Sequence, residues 1–397
     1  MVEGNSKQTE RARNQVIGCM VGGAVGDALG YRVEFLSWPQ IQIEYGPRGI
    51  TRYRGGKGYI SDDTQMSLFT AGGILLGMTR GCMRGIMGRI DTYCWNSYQD
   101  WLMTQEHPSL TDDDEYYTWL VNVPELFSRR APGNTCLSAL RAEAAGYGKA
   151  QNNSCGCGGV MRTAPLALLN HIHQYEKGDV LYCDMCAAEA ARITHKHPLG
   201  FIPSAVLNHI LTEILKEGDL CPERLPDYVE RALAALPDIE SAEDDCKTYG
   251  ELWPEHVKKQ RDIIHKALDL AASSTPDPAA IESIGGGWTG HEALAIAIYS
   301  AVKHCNSFED AIISCVNHSG DSDSTGAVCG NIMGCLHGRS SIPEYYTENL
   351  EILNVIEEIA NDLFTGCIIS EYEPLDTPEK QRWYDKYCEL KWTPSKK

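Results

Sequence analysis

Four things are scarce in this sequence of 397 residues: uninterrupted apolar runs, blocks of lysine and arginine, segments of alternating polarity, and paired cysteine motifs. No apolar run approaches the roughly 20 residues of a membrane span, so a membrane protein is not expected. With 35 Lys and Arg against 54 Asp and Glu, the net charge is −19 and no basic block stands out, which argues against nucleic acid as a bulk partner and fits a cationic one. Sixteen cysteines are scattered from Cys19 to Cys388. The sole CxxC, Cys183 to Cys186, has no second pair and falls in the helical-looking VLYCDMCAAEAARI, so helix packing explains it better than zinc. The opening MVEGNSKQTERARNQ has no apolar core and does not read as a signal peptide. Reduced thiols and a cytoplasmic location are the expectation.

What the chain does have is a globular composition, 43% hydrophobic and 22% charged, and repeated helical periodicity. Apolar residues recur at three- and four-residue spacing over 15–29, 65–79, 85–103, 134–146, 160–172, 179–194, 203–217, 226–236, 255–273, 291–304, 307–317, 326–337 and 347–364. Only Gly49 to Arg54 resembles a short strand. The class is therefore all-α, a single-domain bundle over 14–369, with a mobile arm at 1–13, a surface excursion at 237–254 and a C-terminal extension at 370–397. The first helix carries Gly22, Gly23, Gly26 and Gly30. No strand precedes them and the spacing is not GxGxxG, so they predict close helix packing rather than a dinucleotide loop.

Two acidic clusters each join a loop to a helix: Ser61-Asp62-Asp63-Thr64 and Gly320-Asp321-Ser322-Asp323-Ser324-Thr325. Asp, Ser and Thr cap helices, but two such sets could also enclose a pair of hard divalent cations roughly 3.5 to 4 Å apart. An EF-hand starting at Asp321 fails, because Ile332 stands where its glutamate should be. DSDST also fits the DxDxT pattern of haloacid dehalogenase-type phosphatases, with Asp321 as nucleophile, although no apolar strand precedes it. A third segment, Asn153-Ser154-Cys155-Gly156-Cys157-Gly158, is a small-residue loop whose backbone N–H groups could hold a diphosphate or merely form a tight turn. Glu34 follows the first helix.

In order, GDALGYRVEF (26–35), SDDTQ (61–65), RAPGNTC (130–136), NNSCGCGGVMR (152–162), RITHKHP (192–198), GGWTGHEALAIAIY (286–299) and NHSGDSDSTGAVCGNIMG (317–334) resemble the ADP-ribosylglycohydrolase family over roughly residues 15–365. The resemblance implies an all-α orthogonal bundle with a dinuclear Mg²⁺ or Mn²⁺ site at helix N-termini, ligated by Ser61, Asp62, Asp63, Asp321, Asp323 and Ser324. Serine at 61 and 324, where threonine is frequent, keeps the ligand oxygen. Glu34 matches a mobile glutamate, Asn153 to Gly158 a diphosphate cradle, Gly133 a second backbone contact, His195 a ring stacked on adenine, and Trp288 a ribose or adenine wall. A satisfied surface histidine and a core indole are the alternatives for the last two. Cys155 and Cys157 stand where related loops carry lysine or asparagine, and His291 where the bacterial branch carries an acid.

The activity so implied is hydrolysis of ADP-ribose from a modified protein, through an oxocarbenium-like state, with a carboxylate among Asp62, Asp63 and Asp323 taking the proton of the attacking water. An arginine linkage is expected, since a guanidine leaves without a strong acid. One rival is a toxin-neutralising protein that covers an ADP-ribosyltransferase, which would have no need of intact metal ligands; the other is the phosphatase.

Overall fold

The computed structural model describes residues 2–142, 150–173, 177–217, 221–241, 253–392 and 394. In chain order its helices are α1 (Val2–Gly30), α2 (Trp38–Tyr45), α3 (Asp62–Arg84), α4 (Ile90–Glu106), α5 (Asn134–Arg141), α6 (Pro165–His173), α7 (Lys177–Arg192), α8 (Pro198–Lys216), α9 (Leu225–Ser241), α10 (Trp253–Ala271), α11 (Asp277–Ile284), α12 (Gly290–Lys303), α13 (Phe308–Val316), α14 (Ser322–His337), α15 (Glu344–Thr347), α16 (Leu353–Thr365) and α17 (Pro378–Tyr387). No strand occurs among the described residues, only isolated bridges such as Gly58 with Leu350.

The glycines of α1 do what close packing asks of them. A methyl group on Gly18, Gly22 or Gly26 would overlap the carbonyl oxygen of Gly334, Gly330 or Gly326, respectively. The pairs run in opposite directions along the two chains, so α1 and α14 lie antiparallel with backbone against backbone. Gln15 Nε2 donates to Cys335 O at 3.2 Å, and Asn331 Nδ2 donates to Cys19 O at 2.9 Å, which fixes the register. Gly30 sits against the carbonyl of Ser322, so the C-terminal end of α1 meets the N-terminal end of α14.

Helix α3 runs through the interior, buried from Asp62 to Thr79. Ser61 caps it by accepting from Asp63 N, and Gly85, in the left-handed region at φ 69°, ends it. Helix α8 is, by length and composition, apolar enough to cross a membrane. In the fold 89% of its most apolar window is buried, the environment of a core helix.

Several expectations are corrected. Residues 2–13, expected as an arm, belong to α1. Their Glu, Lys, Gln and Arg are good helix formers, and lack of apolar periodicity is no bar to helix. Gly49 to Arg54 forms no strand; Gly49 has φ 71°, and a 3₁₀ turn begins at Arg54. The expected helix 134–146 ends at Arg141, with 143–146 outside the described residues; so do residues 242–252 of the expected excursion. The C-terminal extension packs on the bundle: Trp383 and Tyr387 of α17 are buried, and Trp383 Nε1 donates to Thr79 Oγ1 of α3 at 3.0 Å. Helix α2 went unpredicted because Ile41 alone of its residues is buried, although the box of Ser37 and Gln40 announces it.

Gly330→Ala is expected to lower unfolding stability in denaturant titrations by about 3 kcal/mol or more, through overpacking against α1. Gly85→Ala, with nothing within 4 Å, should lose only about 1 kcal/mol from its left-handed backbone.

Candidate active site

The two acidic clusters lie at the N-termini of α3 and α14, brought together by α1. Capping and clustering coexist there. Asp321 caps α14, its Oδ1 accepting from Ser324 N at 3.2 Å, while Asp323 in the first turn has an oxygen 3.0 Å from the same N–H. Ser324 Oγ reaches Asp63 Oδ1 at 3.4 Å, a direct bridge between the clusters. Oxygens of Asp27, Asp63 and Asp323 lie within 4.8 Å of one another, and so do those of Glu34, Asp321 and Asp323. The sequence pattern did not single out Asp27. Its signal was an acid embedded in the glycine-rich apolar face of the first helix. Buried on α1, Asp27 accepts from Ser61 N at 3.0 Å, from Thr64 N at 3.1 Å and from the Thr64 hydroxyl, and so orients the start of α3.

Asp62 is aimed by a separate loop. Gly133 N donates to Asp62 Oδ2 at 3.2 Å, so this N–H, expected to meet substrate, serves the carboxylate instead. Within the loop Ala131 has φ 49°, a left-handed conformation that a side chain makes unfavourable by about 1–2 kcal/mol. Arg130 holds it: its guanidinium pairs with Glu351 and donates to Ile60 O at 2.9 Å.

Burial raises the pKa of each of these acids; repulsion from neighbouring carboxylates adds to it at Glu34, Asp62, Asp63 and Asp323, while hydrogen bonds oppose it at Asp27 and Asp321. Glu34 and Asp62 are pushed up to about 8 and Asp27 to about 6, and Asp63 and Asp323 are raised strongly. Glu34 Oε2 and Asp63 Oδ2 are buried without a hydrogen-bond partner. Unpartnered buried carboxylate oxygens, all hard ligands, fit a divalent cation. Both carboxylate groups of this kind consist of acids alone, without the Cys183–Cys186 pair.

Two aromatic rings adjoin the acids: Phe35 follows Glu34, and Trp288 follows Gly287, which packs against Asp321. Trp288 is 46% exposed, which excludes a core indole, and it stacks on Phe35, 72% exposed, at a centroid distance of 6.0 Å and 24° between planes. Phe35 had escaped notice beside Glu34. The loop Asn153 to Gly158 closes the neighbouring edge. Asn153 is exposed, but Ser154 N donates to Asn152 Oδ1, Gly156 N to Ser154 Oγ and Cys157 N to Trp288 O, so three of the N–H groups expected to bind diphosphate act inside the protein. Cys155 O accepts from Gly290 N at 2.9 Å, tying the loop to α12. His195 is corrected: at 2% exposure its ring leaves no open face for adenine. It packs beneath Gly156 and Gly158, with Nδ1 2.8 Å from Thr194 Oγ1, and burial drives its pKa down to about 3. The phosphatase reading also falls, because Asp321 lies between two helices rather than at the end of a strand.

Fold and site together define an all-helical protein with a buried carboxylate centre at converging helix N-termini. The chain belongs to the ADP-ribosylglycohydrolase family, whose model matches residues 8–371. ADP-ribosylhydrolase ARH3 of Gallus gallus is 24% identical over 220 residues, covering 53% of this chain and 57% of that protein, so the match spans little more than half of this relative. ADP-ribosyl-[dinitrogen reductase] glycohydrolase of Rhodospirillum rubrum is 24% identical over 85% of this chain and 91% of its own. ADP-ribosylarginine hydrolase Tri1 of Pseudomonas putida is 24% identical over 89% of this chain and 79% of its own. A solved structure described as an ADP-ribosylglycohydrolase-related protein complex has the same fold, with TM-score 0.55, 21% identity, and coverage of 89% of this chain and 98% of that one.

The raised pKa values have a signed consequence. A carboxyl whose folded pKa lies above its unfolded value stabilises the fold at low pH and loses that contribution as pH rises through the folded value. In chelator, the melting temperature is therefore expected to fall from pH 5 to pH 8.5, through the range set by Asp27 at about 6 and by Glu34 and Asp62 at about 8. Mg²⁺ should raise it more at pH 8 than at pH 5.5. A melting temperature independent of pH in chelator contradicts the account.

Proposed function

We propose that the chain is a divalent-metal-dependent hydrolase that releases ADP-ribose from an ADP-ribosylated protein by cleaving an N-glycosidic bond to arginine. The observation that carries the reading is the pair of buried carboxylate groups, with Glu34 Oε2 and Asp63 Oδ2 unpartnered, in a member of this family. Ser61, Asp62, Asp63, Asp321, Asp323 and Ser324 would hold two Mg²⁺ or Mn²⁺ ions. Such ions supply the Lewis acidity and positive charge that a chain of net charge −19 lacks for an anionic diphosphate.

The remaining roles fall to the chain itself. A carboxylate among Asp62, Asp63 and Asp323 takes the proton of the attacking water, and Glu34, on a segment outside both helix starts, positions the ribose. Trp288 and Phe35 wall the nucleotide, and the loop from Asn153 to Gly158 carries the diphosphate on the N–H groups left to it. The two helix N-termini add partial positive charge at the reacting end. Arginine linkage is supported by leaving-group chemistry, since a cationic guanidinium departs as neutral guanidine whereas a serine alkoxide needs a proton. The Tri1 relative is named an ADP-ribosylarginine hydrolase, and its match extends over most of this chain. A cytoplasmic site of action accords with the reduced-thiol composition.

Incubation with arginine-linked and serine-linked ADP-ribosylated peptides, in Mg²⁺ and then in EDTA, tests the whole reading. Release should require the metal and be faster from arginine; faster release from serine overturns the linkage, and metal-independent release overturns the mechanism. Asp63→Asn and Asp321→Asn are each expected to lower turnover at least ~100-fold. Glu34→Gln should lower turnover, read as the initial rate in saturating Mg²⁺.

A further inference from the structure

One side chain at the carboxylate centre has no part in that chemistry. Cys157 lies in the glycine-containing loop with its Sγ 2.8 Å from Asp321 Oδ2. Its backbone is pinned on both sides: Cys157 N donates to Trp288 O at 3.2 Å, and Cys157 O accepts from Met161 N at 3.3 Å. The thiol is thus held against the cluster rather than swinging free. Asp321 is fixed as well, Oδ1 accepting from Ser324 N and Oδ2 from the thiol. The same Asp321 stands with Glu34 and Asp323 in a group whose oxygens all lie within 4.8 Å. In that group Glu34, 8% exposed, has its Oε2 without a partner. Asp321 thus touches the thiol on one side and belongs, on the other, to the group that holds the unpartnered Glu34 oxygen.

Hard cations such as Mg²⁺ take the oxygens and leave a thiol protonated; thiophilic divalent cations bind sulfur strongly and tolerate carboxylates beside it. We propose that Cys157 gives this centre a soft ligand, so that Zn²⁺ or Cd²⁺ binds to its sulfur together with the carboxylate of Asp321, in competition with Mg²⁺ or Mn²⁺. One sulfur–metal bond forms, the S–H bond breaks and the proton leaves to solvent, with no change of oxidation state. The inference rests on the divalent-cation reading of the site. It makes the metal preference of this chain a property of one loop cysteine, and Zn²⁺ an inhibitor that holds the loop onto the carboxylates.

The test uses the full chain, stripped with chelator, as wild type, Cys155→Ser and Cys157→Ser. Each is titrated with Cd²⁺ while the ultraviolet thiolate-to-cadmium charge-transfer band is followed, and with Mn²⁺ by calorimetry. Wild type and Cys155→Ser should show a tight, saturable component that Cys157→Ser lacks, and Cd²⁺ affinity in Cys157→Ser should drop at least about tenfold. The other cysteines contribute the same background to all three. Mn²⁺ affinity should stay equal in all three, which also reports that the site is folded; Cys157→Ala serves if serine disturbs the loop. Equal Cd²⁺ bands with normal Mn²⁺ binding overturn the role of Cys157 alone. Failure of every form to bind Mn²⁺ overturns the metal centre beneath it.

Discussion

The backbone contact between α1 and α14 is the constraint on which the site depends. Three glycines on each helix allow the two axes to approach until main chain touches main chain. Asp27 and Glu34 ride on or just beyond α1, and Asp321 and Asp323 start α14. Widening the separation by even a methyl group would draw apart carboxylate groups that have to share one small volume. Close approach of this kind gains dispersion and weak Cα–H···O contacts, but its larger effect here is positional.

Such a gathering of acids is unfavourable by itself, and the fold offsets it in three ways. The helix N-termini of α3 and α14 present N–H groups and partial positive charge to the same carboxylates. Asp27, the most enclosed acid, is saturated by three donors from the Ser61 to Thr64 turn. Asp62 receives an N–H from a loop kept in a strained conformation by the Arg130–Glu351 pair. What remains uncompensated is one buried, unpartnered oxygen on each of Glu34 and Asp63. Stability and chemistry are therefore opposed at this centre, the usual condition of a site built for reaction.

Helix class, the packing role of the glycines and the meeting of two distant acidic clusters were legible because each leaves a local mark: a 3.6-residue period, small residues four apart, acids and hydroxyls where a helix begins. The course of residues 2–13 and of α17 was not legible, since periodicity reports burial of one face and neither segment displays a long apolar stripe. Asp27 was hidden by its own context, a polar residue inside a helix whose partner could not be guessed. His195 shows the opposite failure. Its motif was recognised, but whether an imidazole lies above or beneath a glycine loop depends on the path of the loop from Asn152 to Gly158, which no spacing rule describes. Trp288 stood out within its motif, whereas its exposed partner Phe35 looked like an ordinary apolar residue after a helix.

The register of α1 against α14 also says something about how this chain comes to be folded. The hydrogen bonds that set it join residues 312 and 320 positions apart in sequence. During synthesis the glycine face of α1 therefore stays uncovered until α14, far later in the chain, has been made. The centre cannot be assembled by halves. Contacts so distant in sequence carry a large loop-closure cost and form late, so the glycine seam that makes the site possible is also a slow step of folding.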